Sequence, residues 1–346
     1  MSESLTLTDA QRSSILRPPG LRSAGAPVII GMAVVLAALI LLPFIPGMRF
    51  YYLQVVIVAF FFAIVGTAWG VIGGYAGQHS VGNAAFVGIG AYTSTLLYVN
   101  FGISPWIGMV VGMAASALIA VIIGYPCFRL GLRGDYFTLA TVALGLVAFE
   151  IVTGWSTVTH GAQGVPISFK PDPAAFQFQD RNIYYFIGMA MWLAAVLVSY
   201  RLRHSRKGFE MLAVRDDEAA AARGGISVLR SKLSALVISA VITSAAGTFY
   251  AQFYLFIDPN SVMSLNLSIQ IVLVVALGGM NSYLGGTVGA IILVPTAQFL
   301  SVQFASFPGV DLALYGVALV LIMMYMPFGV LGLLRKSPRW RKVIGW

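Results

Sequence analysis

The sequence predicts an all-α integral membrane protein with about ten transmembrane helices, some of them broken or re-entrant. Three observations carry this: composition, the length of the apolar runs, and where the basic residues fall between them. Of 346 residues, 59% are hydrophobic and 10% charged, against roughly 25% charged in a soluble globular protein. That balance excludes a soluble enzyme and a disordered chain, because too little polar surface remains to cover a globule in water. The apolar runs are about twice as long as the roughly ten-residue alternating segments of an outer-membrane barrel, and they match the length of a spanning helix. The 37 glycines suit close packing of helices in lipid.

Ten spans follow in order: 27–46, 51–73, 84–100, 103–127, 135–153, 182–202, 233–256, 267–280, 285–302 and 312–332. The third and eighth are short, which marks them as tilted, broken or re-entrant. Residues 1–26 form a polar lead carrying Arg12, Arg17 and Arg22. No small-residue cleavage site follows the first span, which reads as an uncleaved anchor. Arg129 and Arg133 lie between spans four and five. Arg201, Arg203, Arg206, Lys207, Arg215, Arg223, Arg230 and Lys232 cluster between spans six and seven, and Arg335, Lys336, Arg339, Arg341 and Lys342 follow the last. Ten crossings place all four clusters on one side, the cytoplasm, with both termini inside. The net charge of +9 is therefore a signal of orientation and not of nucleic-acid binding. The organisation is a cytoplasmic segment 1–26, a transmembrane domain 27–332 containing the cytoplasmic loop 203–232, and a basic tail 333–346.

On the outer side, 154–181 carries Pro166, Pro171 and Pro173 and reads as an irregular loop or short cap. The loop 257–266 carries the turn signal Asp258-Pro259-Asn260. Between spans two and three, Gly73-Gly74-Tyr75-Ala76-Gly77-Gln78-His79-Ser80-Val81-Gly82-Asn83 concentrates glycine and polar side chains. Irregular backbone at membrane depth must be buried in protein or line a watery cavity, and broken helices are where transporters place substrate. The plain alternative is a solvated cytoplasmic loop. The stretch 278–286, Gly278-Gly279-Met280-Asn281-Ser282-Tyr283-Leu284-Gly285-Gly286, is similar in composition. Gly70 and Gly74, Gly73 and Gly77, Gly108 and Gly112, and Gly285 and Gly289 repeat at helix-contact spacing, a packing signal.

Catalytic and metal chemistry find no support. Cys127 is the single cysteine, and His79, His160 and His204 are isolated in sequence, so no metal site is expected. No nucleophile elbow and no phosphate-cradling glycine loop occurs. Asp135 and Glu150 both belong to the fifth span. Fifteen residues of helix rise about 22 Å, so they sit near opposite ends and form no catalytic pair. Asp135 reads as a helix start favoured by the dipole. Glu150 is either a functional intramembrane acid or an outer-interface residue. In the loop 203–232, Asp216-Asp217-Glu218-Ala219-Ala220-Ala221-Ala222-Arg223-Gly224-Gly225 places acids first, alanines next, then Arg and Gly. That order caps and stops a helix of about two turns, roughly 10 Å long. It is either a docking element for a cytoplasmic partner or an ordinary connector.

Residues 74–93, Gly74-Tyr75-Ala76-Gly77-Gln78-His79-Ser80-Val81-Gly82-Asn83-Ala84-Ala85-Phe86 and on to Ala91-Tyr92-Thr93, resemble the hallmark of branched-chain amino acid ABC-transporter permeases of the LivM type. Three further blocks fall in that family's order: Arg133-Gly134-Asp135-Tyr136-Phe137, Ala213-Val214-Arg215-Asp216-Asp217-Glu218-Ala219-Ala220, and Leu277-Gly278-Gly279-Met280. The resemblance covers about residues 50–332. It implies an ABC importer permease (type II-like) bundle in a bacterial inner membrane. Its implied partners are a second homologous permease, two ATP-binding subunits that use ATP and Mg, and a periplasmic substrate-binding protein. The permease itself would need no cofactor. The resemblance makes the short loop helix a coupling helix, with Arg215, Asp216, Asp217, Glu218, Ala219, Ala220 and Gly224 toward the ATPase. Departures leave the cargo open among branched-chain amino acids, amides and urea: Leu146 follows Gly145 where an acid is common, Thr159-His160-Gly161 replaces Thr-Gly-Gly, His79 and Asn83 replace Leu and His, and Asn281 follows Met280 where Gly is common.

The leading expectation is therefore a transport subunit without covalent chemistry, with Gln78, Ser80, Asn83, Phe86, Tyr92 and Glu150 as pathway candidates. The alternative is an ion-coupled secondary transporter of amino acids or other small polar solutes, with Glu150 as coupling acid. A membrane enzyme would need reactive groups clustered at one depth, which the sequence does not supply.

Overall fold

The computed structural model describes residues 39–44, 50–304, 316–317, 324 and 329–333. Among these, eight helices are long and apolar enough to cross a membrane. Helix α1, Phe50–Trp69, continues without interruption into a π-helical turn, Gly70–Tyr75. It is followed by α2, Asn83–Phe101, α3, Pro105–Arg129, α4, Gly134–Gly154, and α5, Arg181–Arg203. Two short helices, α6, Arg206–Asp216, and α7, Glu218–Arg223, connect α5 to the long α8, Val228–Tyr254. Helix α9, Leu265–Gly278, α10, Gly285–Gln303, and a short α11, Gly329–Leu333, complete the described chain. Eight of the ten expected spans thus have helices. The expected spans 27–46 and 312–332, and the segments 1–26 and 334–346, lie wholly or largely outside the described residues.

The two spans that look short in sequence gain length locally. Helix α2 begins one residue earlier than expected and ends on Gly102 in the left-handed conformation. Helix α9 is preceded by a helical turn, Pro259–Val262, and the two together run 20 residues. That turn starts where the Asp-Pro-Asn signal sits: the Ser261 hydroxyl accepts from the Asp258 N–H at 3.3 Å.

Helices α1 and α8 form the centre. Helix α8 packs on α1, α2 and α3, and α1 packs on α5, α9 and α10. Small residues set these distances. A Cβ on Gly90 would lie 2.0 Å from the Ser244 carbonyl oxygen, and one on Gly247 would lie 2.0 Å from that of Val87, so α2 and α8 touch backbone to backbone. Gly286 meets Gly66 in the same way, with a Cβ 2.4 Å from the Thr67 nitrogen. Of the glycine pairs singled out in sequence, Gly108 and Gly112 seat α3 on Ser94 and Gly90, whereas Gly70 faces open space.

Helix α4 stands apart. Phe137 and Thr141 are its buried residues, while Tyr136, Leu139, Leu146, Val147 and Ile151 are exposed. The long segment before α5 folds as a cap over one end of the bundle. Val165–Pro166 pairs antiparallel with Phe256–Ile257 as a two-residue ribbon. The Trp106 indole stacks on Phe176 at 4.0 Å and donates to the Pro173 carbonyl at 3.1 Å. Loop 203–232 folds against the opposite end.

Candidate coupling site and broken-helix seam

The stretch 73–83 is neither a simple helix break nor a solvated loop. The π-helical turn carries it, buried, as far as Tyr75. Beyond it the backbone groups find protein partners: Gln78 N–H donates to Ile72 O at 3.0 Å and Val81 N–H to Thr141 Oγ1 at 3.1 Å. Ala84 N–H donates to Ser268 Oγ at 3.1 Å, and His79 O accepts from Thr138 Oγ1 at 2.8 Å. The Trp69 indole donates to Ser80 O at 2.6 Å and stacks over the His79 ring. Side chains of α1, α4 and α9 thus do for this backbone what water does in a loop, which is the condition for irregular chain inside a bundle.

The second glycine-rich stretch lies directly against the first. Gly279, at φ +118, ends α9 in a conformation that L side chains rarely adopt. The turn then brings the Met280 carbonyl oxygen to within 2.1 Å of where a Cβ on Gly74 would stand. The two breaks therefore form one seam, and two arginines of the loop end close it. Arg215 Nη1 donates to Gly74 O at 2.9 Å and to Asn281 Oδ1 at 3.0 Å. Its Nε and Nη2 bind Asp216 at 3.0 and 2.9 Å. Arg203 Nη1 donates to Asn281 O at 2.9 Å, and its guanidinium lies over the Tyr75 ring at 5.4 Å. Tyr75 shares a 2.7 Å hydrogen bond with Ser199. Two of these, Arg215 to Gly74 O and Arg203 to Asn281 O, are charge-assisted bonds to main-chain oxygens at the breaks. Burial pushes the neighbouring Tyr283 phenol up to about 12. Gly77, at φ +65, lies flat on the Arg215 stem; a Cβ there would stand 2.6 Å from Cγ.

Helix α7 follows from its sequence. The Asp217 carboxylate caps it by accepting from Ala219 N–H at 2.8 Å and Ala220 N–H at 2.9 Å. Gly224 and Gly225 end it, the latter at φ +83. Asp216, Asp217, Ala219, Ala220, Ala222, Arg223 and Gly224 are exposed, and Ala221 is buried. Glu218 turns inward, to Arg133 at 2.9 Å and to the buried Lys232.

The sequence candidates separate into groups. Gln78, Ser80 and Asn83 are buried together beside the seam. The Asn83 amide donates to Ser239 at 3.2 Å, while its Oδ1 and the Gln78 Oε1 have no protein partner. Phe86 is buried in the main apolar core. Tyr92 is also buried, with its hydroxyl unpartnered, but nine residues along α2 place it about 13 Å from Asn83. Glu150 is not brought to them: it stands on the exposed face of α4, beyond the stretch where Gly145 approaches Gly82. Sequence reasoning missed α6, although Ser205 caps it by accepting from Gly208 N–H at 3.2 Å and Arg206 pairs with Glu210 one turn on. It also gave Lys232 and Arg133 roles in orientation only.

The family described as branched-chain amino acid transport system, permease component, matches residues 51–324. The chain is 28% identical over 297 residues to the high-affinity branched-chain amino acid transport system permease protein LivM of Salmonella typhimurium, covering 79% of this chain and 68% of the relative. The LivM protein of Escherichia coli gives the same figures. The autoinducer 2 import system permease protein LsrC of an Enterobacter species is 28% identical over 191 residues, 55% of this chain and 52% of the relative.

Proposed function

We propose a function from one premise: the chain belongs to the branched-chain amino acid transport permease family. It is a transport subunit, and its reading as the permease of an ATP-driven importer rests above all on α7. This capped helix presents an exposed small-sided face, while Arg215 beside it grips the seam between two broken helices. A helix that is exposed on one side and fastened to the interior on the other is what a push from an ATPase requires. Asp216, Asp217, Ala219, Ala220 and Gly224 form the face toward the ATP-binding subunit, and Arg215 carries the displacement inward.

ATP and magnesium belong to two partner subunits. A second, homologous permease completes the route, and a periplasmic binding protein delivers the cargo. In this reading the chain sits in a bacterial inner membrane, with the loop end and both termini cytoplasmic. Gln78, Ser80, Asn83, Phe86 and Tyr92 line or support the route. The unpartnered buried oxygens of Gln78, Asn83 and Tyr92 support this, because such groups are costly unless water or a polar solute reaches them. The cargo is a branched-chain amino acid, as the names of the two LivM relatives suggest.

The test is purification of the tagged chain in mild detergent with its co-purifying proteins, followed by reconstitution in vesicles. Recovery of a second permease and ATP-binding subunits, with leucine uptake that needs ATP and binding protein, is expected. Recovery of the chain alone, with uptake driven by an ion gradient, overturns the importer. ATP-dependent uptake of a sugar or amide in place of leucine overturns the cargo only.

A further inference from the structure

We propose that Glu218 is a positioning residue that fastens the coupling helix to the transmembrane bundle, and that it lies outside the face meeting the ATP-binding subunit. The inference rests on the importer reading above and concerns how the push is carried inward.

Along α7, Glu218 and Ala221 share the inner side, and the remaining residues of the helix are exposed. The Glu218 side chain is 15% exposed, and its two oxygens reach different elements. Oε2 binds Arg133 Nε at 2.9 Å, in the turn before α4, and Oε1 binds Lys232 Nζ in α8. Arg133 is largely in solvent, with a side chain 66% exposed, but Lys232 is 2% exposed. Its ammonium sits near the N-terminus of α8, where the helix dipole disfavours a cation. It lies 5.8 Å from the centre of the Phe128 ring, and Phe128 stacks on Phe137 of α4 at 4.9 Å. One carboxylate therefore joins α7 to the turn before α4 and to the first turns of α8, where Lys232 in turn meets Phe128 at the end of α3.

A buried ammonium without its counter-charge is unfavourable, so Glu218 cannot leave this pair to bind a partner. Movement of α7 must carry Lys232 and the start of α4 with it. Helix α8 is one of the two central helices of the bundle. The start of α4 holds the backbone of the first break through Thr138 and Thr141. Glu218 thus transmits the push along a second line, beside that of Arg215.

The test separates transmission from folding. Replacing both members of a buried pair by apolar residues of similar size is close to neutral for stability, whereas removing one is not. We therefore compare wild type with the double variant Glu218→Leu/Lys232→Met in the assembled complex, using radiolabelled leucine as probe. The expected result is a folded variant that keeps its ATP-binding subunits and hydrolyses ATP but loses uptake about tenfold or more, equivalent to a decade in rate. Wild-type uptake would make the pair structural only, and loss of the ATP-binding subunits from a folded variant would make Glu218 a contact residue; either overturns the proposal. Should the double variant not fold, Glu218→Lys is compared with the swap Glu218→Lys/Lys232→Glu. Uptake regained by the swap supports the tie, and none regained overturns it. Ala220→Arg, on the outer face, is expected to release the ATP-binding subunits. If wild type itself recovers none, the importer reading fails. A wild-type complex that ignores leucine removes only the cargo, and the arms are then read as ATP turnover with and without binding protein.

Discussion

The two ends of the bundle are held together by different chemistry. At the loop end, Arg203, Arg215, Arg133 and Lys232 reach across elements to carbonyl oxygens, an amide and a carboxylate. At the cap end, the main ties are stacked rings around Phe176, the ribbon Val165↔Ile257 and hydrogen bonds from Ser104 and Trp106 to the main chain. Charge-assisted bonds are roughly twice as strong as neutral ones and fix direction. A ring pair contributes about 0.5–1.5 kcal/mol beyond the area it buries. The loop end is tied to the helices it meets by directional, charge-assisted bonds. The cap end has fewer charged ties: Arg181 of α5 donates to Gln54 of α1 at 3.2 Å and lies over the Phe253 ring of α8 at 5.7 Å.

The largest effect should come from prising the loop end open at its tightest contact. Gly74→Ala places a methyl group 2.1 Å from the Met280 carbonyl oxygen, with main chain on both sides. Overpacking of this kind costs typically about 1–3 kcal/mol, and here it also displaces the carbonyl that Arg215 holds. The expected outcome is a lower melting temperature in detergent and uptake reduced at least about tenfold, the equivalent of about 1.4 kcal/mol. Gly154→Ala meets nothing within 4 Å and is expected to leave both unchanged. Equal behaviour of the two variants would remove the seam from the mechanism.

The matching change at the cap end should be milder. Trp106→Phe keeps a ring beside Phe176 but loses the donor to Pro173. One such hydrogen bond contributes about 0.5–1.5 kcal/mol. Thermal unfolding should begin a few degrees lower, with uptake close to wild type. Uptake lost as completely as in Gly74→Ala would show that both ends carry force, and the contrast between them would fall.

What was legible in the sequence follows the same division. The spans could be read because lipid demands long apolar runs, and α7 could be read because Asp217, four alanines and Gly224 act within one short segment. The seam could not. Nothing in the order of residues says that Gly74 meets Met280, which lies more than two hundred positions away, or that Asn281 presents its amide to Arg215. The π-helical turn Gly70–Tyr75 was also hidden, because its glycines read equally well as loop. Glu218 reads in sequence as part of a docking face together with its neighbours, which are exposed; only the buried Lys232 reveals which way it turns. In sequence Lys232 reads with Arg230 as part of the basic cluster before an apolar span, and only the structure shows that it alone of the two is buried against a carboxylate.

The smallest expected effect lies on the exposed face of α4, outside the ties at either end, and decides between importer and gradient-driven carrier. Glu150 stands on the exposed face of α4, four residues before the helix ends. An intramembrane acid that couples ion flow to transport should be enclosed with partners at the depth of the route. Glu150 instead lies outside the buried set of Gln78, Ser80 and Asn83. Exposed substitutions usually change stability by no more than about 0.5 kcal/mol, about twofold in an equilibrium. Glu150→Gln should therefore leave ATP-dependent uptake within that range, and collapsing the proton or sodium gradient should not alter the ratio of variant to wild type. A variant that has lost uptake, in vesicles where wild type runs on the gradient alone, would place the mechanism on α4. The charged ties at the loop end would then serve only to hold the bundle shut.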